Sequence, residues 1–346
     1  MARPIVIWTD TVDADFQKAD PLRLALQIKK FYEGEVFIDP SSYIEDSYQI
    51  QICEILESTK ETHSIKIHKD CPVIFHYTEG DFKYLANYKQ LSQLGKLLHS
   101  NYFFPVGQFY NYWAYDYRLR LQFYGQELNS FNGFKKSFLC FNGRPDVHRW
   151  YVLQKLHDMN LLDQGLVSFL NRYGQLDNEI VFEEFLSLCD TDAEYAKSVY
   201  DKKELLLLDK SNDELQKNDR THSKDLYTST SISLITETYA DERPGCFITE
   251  KSWKAIANCH LPLWVAQPGI VDAFRNMGFD VFDDILDQTY DNILNPKDRW
   301  NAVIDSLYSY LQSDLISNDA MTQRLLNNQQ KFLDLKIKEQ EIISWL

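Results

Sequence analysis

Short apolar runs alternate along this chain with longer stretches in which apolar residues recur every three or four positions. In the first half, residues 4–9, 35–38 and 71–77 read as strands, and residues 22–32 and 48–59 read as amphipathic helices between them. Pro21 suits the first turn of the earlier helix, where a missing N–H costs nothing. In the second half, strands are expected at 136–142, 231–236, 261–266 and 280–282. A helix at 147–159 places Val152, Leu153, Leu156 and Met159 on one face. Ile270, Val271, Phe274 and Met277 mark a short helix closed by Gly278. After Pro296, the positions Trp300, Val303, Ile304, Leu307, Tyr308 and Leu311 form an amphipathic face, and a last helix is expected at 322–344. The polar stretch 209–224 has no apolar stripe and reads as an exposed loop.

Strands alternating with helices predict an α/β protein with parallel sheets. A length of 346 residues is long for one core. The expected division is an N-terminal α/β domain at 1–132, a second at 133–295, and C-terminal helices at 296–346 that pack back on the domains. No apolar run approaches the roughly 18–20 residues needed to span a bilayer. The start of the chain, a strand followed by Asp10 and Asp13, is too short and too acidic for a signal peptide. The expectation is a cytoplasmic protein, with peripheral membrane association left open.

The 36 basic and 51 acidic residues give a net charge of −15, which disfavours general nucleic-acid binding. Six scattered cysteines (Cys53, Cys71, Cys140, Cys189, Cys246, Cys259) form no Cys-x-x-Cys pair and read as buried thiols. The eight histidines show no metal-ligand spacing, and no metal site is expected.

The segment 247–254, Phe-Ile-Thr-Glu-Lys-Ser-Trp-Lys, takes an apolar strand end through Thr249, Glu250 and Lys251 into a helix start. A carboxylate there can accept from ribose hydroxyls, while an ammonium and a helix N-terminus can face phosphates. A second unit has the same form. The strand ending at Asn142 leads through a turn holding Arg144 into a helix start at Arg149, which could bridge phosphate oxygens or simply make a capping ion pair. Thr249 is the expected helix cap. Fixed cations at strand ends suit a reaction in which negative charge grows on a leaving diphosphate.

The run Ser233-Leu-Ile-Thr-Glu-Thr-Tyr239, six residues, then Cys246-Phe-Ile-Thr-Glu-Lys251 resembles the donor-binding signature of GT-B glycosyltransferases related to the α-1,3-fucosyltransferases. Phe138-Leu-Cys-Phe-Asn142 with Arg149 is similar to that family's strand, Asn and phosphate-binding Arg, and 278–291 looks like its viral and bacterial relatives. The resemblance covers 136–295 and departs from true fucosyltransferases at Thr238-Tyr239 and throughout the N-terminal half. It implies two Rossmann-like domains facing a cleft, with an inverting, metal-independent transfer from a GDP- or UDP-linked sugar to a glycan or other hydroxyl acceptor. No cofactor beyond the donor is implied. It also implies Glu250 on the ribose, Lys251 and Arg149 on the diphosphate, and Glu237 near the sugar or base.

A general base for the acceptor hydroxyl is expected among Glu79, Asp81 and Asp13, acids near strand ends in the N-terminal half, with Asp10 a further candidate. Residues 100–127 are rich in aromatics, which suits core packing or a wall on which an acceptor sugar stacks. Two other readings stay open. Asp190-Thr-Asp192 follows an apolar run and mimics the Asp-x-Asp that holds a divalent ion in GT-A transferases. A non-catalytic nucleotide- or glycan-binding protein would use the same strand ends.

Overall fold

The computed structural model describes residues 5–9, 36–39, 73–77, 96–99, single positions between 102 and 128, 133–169, 175–201, 224–243, 245–313 and 319–335. The chain divides into two compact units, Met1–Asp116 with Lys336–Leu346, and Tyr117–Leu335. Both are built on parallel sheets.

The first unit holds β1 (Ile5–Thr9), β2 (Val36–Asp39), β3 (Val73–Tyr77), β4 (Lys96–His99) and β5 (Gln108–Phe109). Their order is β2-β1-β3-β4-β5, every pair parallel. The aromatic pair Tyr102 and Phe109 meets edge to face at 4.9 Å.

In the second unit the strands are β6 (Phe138–Asn142), β7 (Gly165–Phe169), β8 (Ile232–Thr236) and β9 (Leu261–Val265). They run in the order β7-β6-β8-β9, again all parallel. Parallel strands need crossovers, and helices supply them. Helices of this unit are α1 (Val147–Asp158), α2 (Gln175–Leu188), α3 (Glu194–Asp201), α4 (Lys224–Ser229) and α5 (Glu250–Ala257), which lie between strands, and α6 (Ile270–Asn276), α7 (Pro296–Gln312) and α8 (Asp319–Asp334), which follow β9. α1 packs on α2, α3 and α7, and α5 packs on β8, β9 and α8.

β8 and β9 are buried at every position, with α5 packed on both. That explains the apolar run of β9 and leaves Ser233 and Thr236 as the polar positions of β8. Two aromatic clusters fill the unit. Trp150 meets Phe169, Phe182 and Phe185, while Trp253, Trp264, Phe274 and Phe279 pack together beside Phe332 of α8. At the edge, Gly165 lies opposite Phe138, whose ring would stand 2.4 Å from any added Cβ. The aromatic ring takes the room a side chain would need.

Three helices end alike. After α1, α5 and α6, the residues Asn160, Cys259 and Gly278 take φ of 55°, 58° and 83°. The next amide then reaches back to the last turn, Leu161 to Leu156 O, His260 to Ala255 O and Phe279 to Phe274 O.

The strand expected at 280–282 is not formed. Asp280 Oδ1 accepts from the Phe282 amide, Asn328 takes both the Asp280 N–H and its carbonyl, and Phe282 sits at φ 60°. Side chains satisfy this backbone in place of a ladder. The helices expected at 22–32 and 48–59 lie outside the described residues, as does the loop expected at 209–224 except Lys224, which opens α4. Among the described residues, no helix is long and apolar enough to cross a membrane.

Candidate functional site

Strand order reverses between β6 and β8, since β7 follows β6 to one side while β8 lies on the other. In open parallel sheets the crevice outside the carboxyl ends at such a point is where ligands bind. Here the ladder between the two strands consists of Phe138↔Ile232 and Leu139↔Ser233. Nearer the carboxyl ends, side chains bridge the gap. Thr236 Oγ1 donates to Asn142 Oδ1 at 2.8 Å and to Phe141 O at 3.3 Å, and Asn142 Nδ2 donates to Ser168 O at 3.1 Å. Asn142 thus ties β7, β6 and β8 together and is buried in doing so.

α1 begins on this crevice. Arg149, in its first turn, is 1% exposed, far below what a surface capping arginine shows. Nη1 pairs with Asp146 Oδ2 at 2.8 Å and donates to Arg144 O at 3.1 Å. Nη2 donates to Glu237 O at 3.2 Å. The Nε–H is buried and has no partner among the described residues. His148 Nε2 donates to the same Glu237 carbonyl at 3.0 Å, which leaves Nδ1 as the unprotonated nitrogen of a neutral ring. Burial, then Arg149, Lys251 and Arg144, hold the His148 pKa well below its ordinary value, against the Glu237 carbonyl bond that raises it. Three cations therefore act on one buried imidazole at the carboxyl ends of β6 and β8.

The fourth wall is the start of α5. Thr249 is its N-cap, in extended backbone, and its hydroxyl accepts from the Lys251 amide at 3.4 Å. Glu237, at the end of β8, turns its carboxylate onto this helix end and is wholly buried. Oε1 accepts from Thr249 N at 3.2 Å and Ser252 Oγ at 2.5 Å, and Oε2 accepts from Thr249 Oγ1 at 2.5 Å and Thr238 N at 3.3 Å. An internal carboxylate, favourable against a helix dipole, already meets the N-terminus of α5. An outside anion would be read here by Lys251 rather than by these amides. The Lys251 ammonium folds over the same loop, donating to Thr238 Oγ1 at 3.3 Å and Thr249 Oγ1 at 3.2 Å, with Glu250 Oε1 3.5 Å away. Lys251 and Glu250 both keep part of their surface in solvent.

Asn142, Arg144, Arg149, Glu237, Thr249, Glu250 and Lys251 therefore come from three separate stretches of chain, 142–149, 237 and 249–251, to one end of one sheet. Glu79, Asp81, Asp13 and Asp10 lie outside the described residues, beyond the described ends of β3 and β1. His148 was not singled out by sequence reasoning. The available signal was its place beside Arg149 at a helix start after a strand.

The Asp-x-Asp candidate lies elsewhere, between α2 and α3. Asp190 is exposed and ion-paired to Lys297, and the Asp192 carbonyl accepts from Lys197 Nζ at 2.7 Å. Among the described residues, no group of three or more His, Cys, Asp or Glu is placed to hold a metal ion. Cys140, Cys246 and Cys259 are buried and Cys189 is half-buried. Burial pushes the Cys140 thiol up to about 12, so it stays protonated.

No protein-family model matches this chain, and no curated protein matches it.

Proposed function

We propose that this crevice binds the diphosphate of a nucleotide sugar and that the protein is a glycosyltransferase. The observation that carries the reading is that Arg149 at the start of α1 and Lys251 at the start of α5 are joined through Glu237 and Thr249 at the point where strand order reverses. Each of two cations already has a carboxylate, Asp146 on Arg149 and Glu250 on Lys251. A pyrophosphate carries the same charge and acceptor geometry in a stronger form, and it would take those places. Glu250, released from Lys251, would accept from the ribose hydroxyls.

In the transfer, a base removes the proton of an acceptor hydroxyl as its oxygen bonds to the anomeric carbon. The bond from that carbon to the diphosphate breaks, and the nucleoside diphosphate leaves with the electron pair. Arg149 and Lys251 would stabilise the charge growing on the leaving group. Glu79, Asp81 and Asp13 are the proposed bases. The GT-B arrangement, inversion at the anomeric carbon, independence of metal, a GDP or UDP donor and a cytoplasmic setting belong to this same proposal, on the strength of the motif resemblance.

A thermal-shift screen against UDP, GDP, CDP and their sugars tests the reading, because a ligand bound only by the native state raises the melting temperature. A rise with one base family, lost in Arg149→Met and Lys251→Ala, is expected. No rise with any of them at millimolar concentration overturns it.

A further inference from the structure

Glu237 makes two sets of contacts. Through its backbone carbonyl it holds His148 and Arg149, the first turn of α1. Through its carboxylate it holds Thr238, Thr249 and Ser252, the loop after β8 and the first turn of α5. Ser252 Oγ in turn accepts from Trp264 Nε1 of β9 at 3.0 Å. Arg149 and Lys251 stand on the two helix starts that this one residue joins.

We propose that Glu237 is a positioning residue, one that sets the spacing of Arg149 and Lys251 by clamping the two helix starts together and does not itself touch the ligand. Its saturation argues against direct contact. Both carboxylate oxygens are occupied within the chain, each by one backbone N–H and one hydroxyl. Each oxygen must therefore accept from a backbone N–H. A hydroxyl can rotate and accept, but a backbone N–H cannot. In Glu237→Gln, either orientation of the amide turns its NH2 group against the N–H of Thr238 or Thr249. Aspartate keeps the charge but is one methylene too short to reach both turns.

The clamp is read without any ligand, and only its effect on affinity rests on the nucleotide-sugar reading. Glu237→Gln is compared with Val303→Ala, a core truncation in α7, at denaturant concentrations that equalise global stability. Expected in Glu237→Gln are exchange of the Thr238 and Thr249 amides about tenfold or more faster than in the control, and a shift of those two amide proton signals. Kd for GDP or UDP, whichever the wild type binds, should rise by about tenfold or more. Should Glu237→Gln fail to fold, Ser252→Ala removes one donor and keeps the charge, with exchange at Thr249 about threefold faster. Unchanged exchange at both amides overturns the clamp. Faster exchange with unaltered nucleotide affinity overturns the positioning role. Faster exchange in a protein whose wild type binds neither GDP nor UDP supports the clamp and removes the nucleotide-sugar reading alone.

Discussion

Two buried arginines stand at helix starts in the second unit, and they are used differently. Arg299, in the first turn of α7, gives its donors to five backbone carbonyls: Ala266, Ile293, Leu294, Ala240 and Asp241. Nothing in its geometry is left over. Arg149, in the first turn of α1, has a carboxylate partner, carbonyl partners and an Nε–H without one among the described residues. Burial lowers both pKa values, Arg299 to about 10. A saturated guanidinium is a staple between loops. An unsaturated one beside Lys251, Arg144 and a crevice is a place where an anion can add bonds without breaking the frame.

The sharpest way to break this contrast is to remove each head group. Arg299→Met leaves five carbonyls without donors and should lower stability by on the order of 4 kcal/mol in urea denaturation. Arg149→Met should cost about 2 kcal/mol, because Glu237 O keeps His148 and Asp146 is partly solvated. Equal losses would end the distinction.

Lys251→Ala tests the functional side of the same contrast. Sugar transfer should fall by roughly 10²–10³-fold in single-turnover assays, with the urea midpoint nearly unchanged. A variant with normal turnover removes Lys251 from its assigned role.

Acid separates the two environments further. Burial holds His260 at about 4, with its ring between Ser233 Oγ and Tyr227 O, and His148 is also held low. The folded-state pKa lies below the unfolded value of 6.5. The stability present above that value is therefore lost as pH falls and the unfolded chain takes up the protons. His260 alone should account for about 2 kcal/mol lost between about pH 7 and about pH 5, and His260→Asn should flatten that slope in denaturation. Arg149→Met, which removes the second largest cause of the His148 shift, should move the His148 ring signal toward ordinary titration in NMR. Arg299→Met should not.

The smallest effect is expected for Asp146→Asn. Its carboxylate is about one-third exposed, so the loss of its ion pair with Arg149 should cost under about 1 kcal/mol in thermal denaturation. In the same variant, anion affinity should rise as the competitor for Arg149 goes. Weaker binding would mean that Asp146 orients the guanidinium rather than standing in for a ligand.

Much of the second unit was legible from the chain. The strands at 138–142, 232–236 and 261–265, the helix at 147–158 and the Thr249 cap all follow from apolar runs and caps that act over one turn. β7 was not, because a short strand opening with Gly165 needs the Phe138 ring across the ladder to make sense of the glycine. α2 carries Phe182 and Phe185 toward Trp150, yet Glu179, Glu183 and Glu184 blur its stripe. Phe282 misled in the other direction. An apolar alternation beside Asp280 reads as a strand until Asn328 and Arg324, from α8, claim that aspartate.

Local propensity and periodicity, which depend on residues within a few positions, were enough to set the α/β class and to put Thr249, Glu250 and Lys251 at a helix start. They could not say which way each charged group turns. Glu237 faces inward because donors 12 and 15 residues later close on it, and Arg149 is buried because Glu237, 88 residues on, offers its carbonyl. Hydrogen bonds across such separations exist only once the parallel strands have paired, so the roles of these residues were decided by the folded sheet.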